Sequence, residues 1–404
     1  MDLLTLGVIL TIGVTLLFDY TNGFHDVSNI VATMISSGAM RPRSALLLAS
    51  LFEFLGPLLG GTAVARTIGT LVDTERVWQE VGAEVFVVSS QIDAAGRRSW
   101  RVRSIRAHRE RRVSSEEELL ACLREGSSPD RARRFGQGLL LQVLLAAVLG
   151  ATVWNLLTWY FGLPSSSSHG LVGGLVGATW TATRRWEAID WGFHDFNLFH
   201  PHGVMGVLAA LLVSPLLGFL LGAAVQKTTR FLLRRATPRA NKWLSQLQWG
   251  TASLLAFSHG TNDAQKSMGI ITLLLFSGGY LSRFEVPFWV KFVCSLALLL
   301  GVLSGGWRIM RTLGRGIFRL RPIHGFSSQL ASAIVVLGQA LVGGPISTTH
   351  VVASTVMGVG TAERKKAVRW SKVGNILTAW VLTAPAAALL AALSYALISP
   401  WSRL

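Results

Sequence analysis

Asn22-Gly-Phe-His-Asp-Val-Ser-Asn29 and Ser258-His-Gly-Thr-Asn-Asp-Ala-Gln-Lys-Ser267 decide the fold. Each is a short polar stretch with a carboxylate, set between long apolar runs. Gly23-Phe-His-Asp26 in the first matches Gly260-Thr-Asn-Asp263 in the second, at an offset of 237. Ala65-Arg-Thr-Ile-Gly69 matches Met310-Arg-Thr-Leu-Gly314 at an offset of 245. Leu163-Pro-Ser-Ser-Ser-Ser-His169 matches Gly344-Pro-Ile-Ser-Thr-Thr-His350 at an offset of 181. Three matches in the same order mark an internal repeat. Between the second and third matches the offset falls by 64, so the first half carries an extra segment of about that length.

Around these motifs, apolar runs fall near residues 3–18, 44–64, 138–163, 203–226, 249–257, 267–281, 286–306, 328–343 and 372–398. The longer ones reach the ~20 residues that cross a bilayer. Half of the 404 residues are hydrophobic and 15% are charged, against roughly 25% charged in an ordinary soluble domain. Mean hydropathy is +0.46. This balance excludes a disordered chain and weighs against a soluble enzyme. It predicts an all-α polytopic membrane protein in contact with the lipid bilayer. No Lys or Arg precedes the first run and no cleavage site follows it, so it reads as a first span and not a signal peptide. The 41 glycines suit close helix packing in lipid. Cys122 and Cys294 lie far apart in the chain, and no disulfide framework is expected.

Residues 73–135 are dense in arginine and carboxylates and cannot sit in lipid. They read as a small inserted soluble subdomain, with a strand at Val85-Phe-Val-Val-Ser-Ser90 and an amphipathic helix at 115–126. Arg97 to Arg112 read as a solvated face, with binding of nucleic acid or anionic lipid as the alternative; for the chain as a whole no nucleic-acid partner is expected. The chain then divides into 1–72 and 136–226 as the first repeat, a basic linker at 227–244, and 245–404 as the second repeat.

The net charge of +17 is concentrated between apolar runs. Lys227 to Lys242, Arg308 to Arg321 and Arg364 to Lys372 are basic clusters, which mark cytoplasmic loops. Residues 186–202 correspond to the last cluster but hold Glu187, Asp190 and Asp195 with no Lys or Arg, which fits the outside. The halves are therefore expected to have inverted topology, the pattern of secondary transporters. Parity then puts the insert outside, since long loops cross largely regardless of charge.

An intramembrane carboxylate costs about 2.5–3.5 kcal/mol on insertion scales, so Asp26 and Asp263 mark a functional site. Gly23 is expected to let its helix break, freeing backbone groups to line a cavity. Lys266 is a candidate substrate contact, and Asp26, Asp263 and Gln265 are candidate ligands of a coupling ion. Lys266 has a second reading, neutralising the neighbouring aspartate. His25 and His259 are candidate proton relays, with hydrogen-bonded packing as the alternative. Ser165, Ser166, Ser167 and Ser168, like Ser347, Thr348 and Thr349, follow a proline where an apolar stretch restarts as a new helix. A helix N-terminus with hydroxyls is an anion site. Two facing copies could surround a tetrahedral oxyanion with neutral donors. His194, Asp195, His200 and His202 form a loop cluster too unspecific to name a metal. No Walker loop, H-E-x-x-H or nucleophile elbow is present, so neither an enzyme nor ATP-driven transport is expected.

NGFHDVSN, LPSSSSHG, HGTNDAQKSMG and GGPISTTHVV together resemble the inorganic phosphate transporter (PiT) family, over essentially the whole chain except residues 73–135. The resemblance implies two inverted repeats, each with a broken helix and a re-entrant hairpin. It implies phosphate symport driven by Na⁺ or H⁺, with no other cofactor, in a multi-pass protein of the plasma (inner) membrane. Asp26, Asn29, Asn262 and Asp263 would sit at the substrate and ion site, and Ser165 to Ser168 with Ser347 to Thr349 would form the hairpin tips. Many members carry Asn where this chain has His25, so the coupling ion stays open. Some members carry sulfate, so the alternatives are a sulfate or other oxyanion permease, or a receptor working through the insert. A homodimer also stays open.

Overall fold

A computed structural model describes residues 3–72, 86–92, 98–104, 110–113, 117–118, 129–192, 203–305 and 317–399. The first half supplies α1 (Leu3–Ser36), α2 (Pro42–Leu59), α3 (Ala63–Gly69), α4 (Pro129–Phe161), α5 (Ser167–Thr183) and α6 (Gly203–Leu232). The second half supplies α7 (Ala240–Ser277), α8 (Phe288–Ser304), α9 (Pro322–Leu341), α10 (Thr348–Arg364) and α11 (Trp370–Ile398). Five of these helices are long and apolar enough to cross a membrane. Leucines such as Leu212, Leu216 and Leu220, or Leu389, Leu393 and Leu397, recur at four-residue spacing on exposed faces, while the polar motifs are buried. Apolar outside and polar inside is the arrangement lipid requires.

The expected break at Gly23 does not occur. α1 runs unbroken through the first motif, and α7 joins the runs 249–257 and 267–281 into one helix through the second. The glycines serve helix contact instead. A Cβ on Gly23 would strike the carbonyl of Leu298 on α8, and one on Gly260 would strike that of Glu53 on α2. Small residues let backbones approach this closely. The break falls elsewhere, at Gly60 and Gly61 between α2 and α3, where Gly61 takes φ +86°. The repeat partner of α3, residues 310–314, lies outside the described residues.

Hydrogen bonds fix the course of the helices. At one end, Thr5 meets Tyr280 at 3.2 Å, Gln137 donates to the Ser277 carbonyl at 2.8 Å, and Val72 pairs with Ile189. At the other, Ser37 donates to Gln248, Gln248 to the Pro322 carbonyl, and Arg230 pairs with Glu363 at 3.7 Å. α1 and α7 therefore run in opposite directions. The basic linker 227–244 and the 364–372 cluster gather at the second end, and the insert leaves from the first. Packing is reciprocal: α1 lies on α8 and α7 on α2, while α5 lies on α11 and α10 on α6.

Each serine- or threonine-rich motif forms a hairpin tip. α4 and α5 begin and end at the insert's end, and α9 and α10 at the basic end, so each hairpin returns to the side it came from. The insert carries a three-stranded antiparallel sheet, β1 (Phe86–Ile92), β2 (Arg98–Ser104) and β3 (Glu110–Val113). Phe86 faces Ser104 and Trp100 faces Val113 in its register. Of the strand expected at 85–90, residues 86–90 fall in β1 and Val85 lies outside the described residues. Of the helix expected at 115–126, residues 117–118 are helical and the rest lies outside the described residues.

Candidate functional site

The hairpin tips converge on the middle of α1 and α7. Ser166 and Ser347 stand in matching places as N-caps of α5 and α10. Each accepts a hydrogen bond from the N–H three residues on, His169 and His350 respectively, at 3.2 Å. The remaining first-turn N–H groups have no intrahelical acceptor. The tips touch each other, Ser168 Oγ donating to the Ile346 carbonyl at 2.7 Å. Behind them His169 and His350 lie ring to ring at 4.7 Å, and His350 stacks on Trp380 at 3.7 Å.

Asp26 is buried between the tips. His25 Nδ1 lies 2.7 Å from its Oδ1, Thr349 Oγ donates to the same oxygen at 3.2 Å, and Ser167 Oγ reaches Oδ2 at 3.4 Å. Asn29 donates to Thr349 at 2.9 Å, and its own carbonyl oxygen is buried without a partner. On the far side of His25, Nε2 meets Thr158 at 3.2 Å and Ser165 at 3.3 Å.

Asp263 is more fully held. Lys266 Nζ donates to its Oδ1 at 2.8 Å and Asn262 to the same oxygen at 2.8 Å, while Asn22 donates to Oδ2 at 3.1 Å. Lys266 also donates to Ser167 Oγ at 3.3 Å. Asn262 reaches across to the second tip, donating to the Ile346 carbonyl at 3.2 Å. His259 lies between two carboxylates, 3.1 Å from Glu53 and 3.4 Å from Asp263, at ion-pair distance without hydrogen-bond alignment. Asp26, His259 and Asp263 place ligand atoms within 4.8 Å of one another, a donor set that suits a cation.

The structure thus gathers most of the residues expected from sequence. Ser165 turns toward His25 and Thr158, donating to Thr158 at 2.8 Å. Thr348 is buried at the second tip. Gln265 does something else: its side-chain oxygen accepts from the N–H groups of Val64 and Ala65, at 2.8 and 3.3 Å. It therefore holds the start of α3. The loop cluster His194, Asp195, His200 and His202 lies outside the described residues, as does Cys122, while Cys294 is buried and free. Sequence reading missed Asn22, Thr158, Glu53 and Asp19. Glu53 and Asp19 are lone carboxylates in or beside apolar runs, the same signal that marks Asp26. Both are wholly buried, and Asp19 accepts from Ser267 at 2.5 Å.

Helices with apolar outer faces around a buried polar centre, reached by two hairpins, define a multi-pass integral membrane protein with a central site. The family described as the Phosphate transporter family matches residues 22–96 and 124–391, leaving part of the insert unmatched. The "Probable low-affinity inorganic phosphate transporter" of Rhizobium meliloti (strain 1021) is 38% identical over 387 residues, covering 95% of this chain and 94% of that protein. Its namesake in Bacillus subtilis (strain 168) is 34% identical over 402 residues, covering 99% of each. A solved structure titled "The sodium-dependent phosphate transporter" shares the fold, with a TM-score of 0.73 at 21% identity over 97% of this chain and 99% of that one. The chain belongs to the phosphate transporter family, whose members named here are transporters and not enzymes.

Proposed function

We propose that the protein imports inorganic phosphate across the plasma (inner) membrane by symport with Na⁺ or H⁺. The observation that carries this reading is the convergence of two capped helix N-termini on two buried aspartates. The first-turn N–H groups and hydroxyls of Ser167, Ser168, Thr348 and Thr349 suit a tetrahedral oxyanion. A buried carboxylate beside the tips suits the cation that must travel with it. Opposite charges bound together make the loaded site cheaper to carry past an apolar barrier than either ion alone. The two halves act as inverted repeats around this site, and the hairpins move against the rest to expose it to each side in turn. Basic loops face the cytoplasm, which leaves the insert outside.

Uptake of labelled phosphate into proteoliposomes tests this reading, with sodium and proton gradients imposed separately. Accumulation driven by either gradient supports symport and names the ion. Failure under both, with sulfate accumulated instead, would replace phosphate as the substrate.

A further inference from the structure

The repeat relates Asn29 to Lys266, and the two residues treat their aspartates differently. Both stand three positions after the aspartate, one turn along the same helix face. The pairing before the aspartate is alike in both halves: His25 meets Asp26 Oδ1 at 2.7 Å, and Asn262 donates to Asp263 Oδ1 at 2.8 Å. After the aspartate the likeness fails. Lys266 turns its ammonium onto Asp263 at 2.8 Å. Asn29 turns away to Thr349 on the second tip and leaves its side-chain carbonyl oxygen buried and unpartnered.

Lys266 is the one wholly buried lysine or arginine among the described residues. Both oxygens of Asp263 are engaged, by Lys266 and Asn262 on one and by Asn22 on the other. Among the described residues no lysine or arginine pairs with Asp26, and its Oδ2 has one hydroxyl at 3.4 Å. The carboxylate of Asp26, the hydroxyls of Thr349 and Ser167 and the free oxygen of Asn29 form an oxygen-rich set of the kind that binds a small hard cation.

Resting on the transport reading, we propose that Lys266 is a tethered coupling cation. Its ammonium does permanently for Asp263 what an exchangeable monovalent cation, a sodium ion or a proton, does for Asp26. The second half therefore contributes no travelling cation of its own, and exchangeable coupling charge enters at Asp26. The same ammonium reaches Ser167 on the first tip, so its charge also lies against the place where the oxyanion binds.

The proposal fixes how charge per phosphate responds to two reciprocal changes. Reversal potentials of phosphate flux in proteoliposomes measure that ratio. Lys266→Asn copies the first half into the second, and the ratio rises by one cation. Asn29→Lys copies the second half into the first, and the ratio falls by one. Flux through both variants at the wild-type ratio overturns the proposal. If Lys266→Asn carries no flux, phosphate binding to the purified variant decides, with sodium chloride titrated at fixed pH and pH titrated at fixed sodium. A steeper dependence on one of these cations than in the wild type supports the tethered cation, and an unchanged dependence refutes it. Absence of phosphate flux in the wild type is a separate outcome, which removes the transport reading itself.

Discussion

Asp26 on α1 and Asp263 on α7 occupy matching places and each has a histidine at hand, yet beyond that one is paired with two hydroxyls and the other with a lysine and two amides. The scaffold around them is nearly symmetric. Both tips carry the same serine cap, both motif helices press a glycine against a neighbour, and both hairpins return to the side they came from. The difference teaches that matching geometry leaves the charge open, and that single residues on one helix face set it. The two aspartates should therefore fail in different ways when altered.

The largest expected effect separates them. Asp263→Asn leaves Lys266 buried beside a neutral amide, and breaking a buried pair costs about 3–5 kcal/mol. The purified variant should lose monodispersity on size exclusion and melt well below the wild type. Asp26→Asn removes a carboxylate that no lysine or arginine among the described residues contacts, so it should stay monodisperse while losing uptake. Equal melting temperatures for the two variants would break the comparison.

Gly260→Leu comes next. It drives a side chain into the Glu53 backbone where nothing flexible can give way, and overpacking of this kind costs about 1–3 kcal/mol. Gly23→Leu should cost a similar amount against α8, and matched melting shifts would confirm that this part of the scaffold is symmetric. A smaller, equally symmetric effect is expected at the caps: Ser166→Ala and Ser347→Ala should each cost about 1 kcal/mol. A loss confined to one tip would show that the caps do unequal work. The smallest effect belongs to the insert. Deleting residues 76–134 should leave phosphate uptake unchanged, because among the described residues the hydrogen bonds of the tips and the two motifs come from the helices.

Much of this was legible in the chain. Carboxylates inside apolar runs are costly enough to mark a site, and repetition at a fixed order made the pairing of motifs secure. The hairpin tips could be read because proline stops one helix and serine caps the next. The continuity of α1 and α7 could not be read. Whether Gly23 breaks its helix or seats it depends on residues 298–302, which are remote in sequence. The true break at Gly60 and Gly61 has an ordinary sequence signal, two adjacent glycines, that the carboxylate motifs overshadowed. Gln265 read as an ion ligand because its neighbours are site residues, and its actual place at the start of α3 depends on a contact across 200 residues. Thr158 carries no signal at all, since threonines that face a site and threonines that bond their own helix look alike.

The most direct test of the account is gradient-driven phosphate uptake by Asp26→Asn in proteoliposomes, set beside the wild type at equal protein. If Asp26 carries the exchangeable cation, gradient-driven accumulation disappears in a folded protein, by at least about 100-fold for a site whose charge pairing is worth ~3 kcal/mol. Accumulation at the wild-type level, driven by the same gradient, would contradict the account.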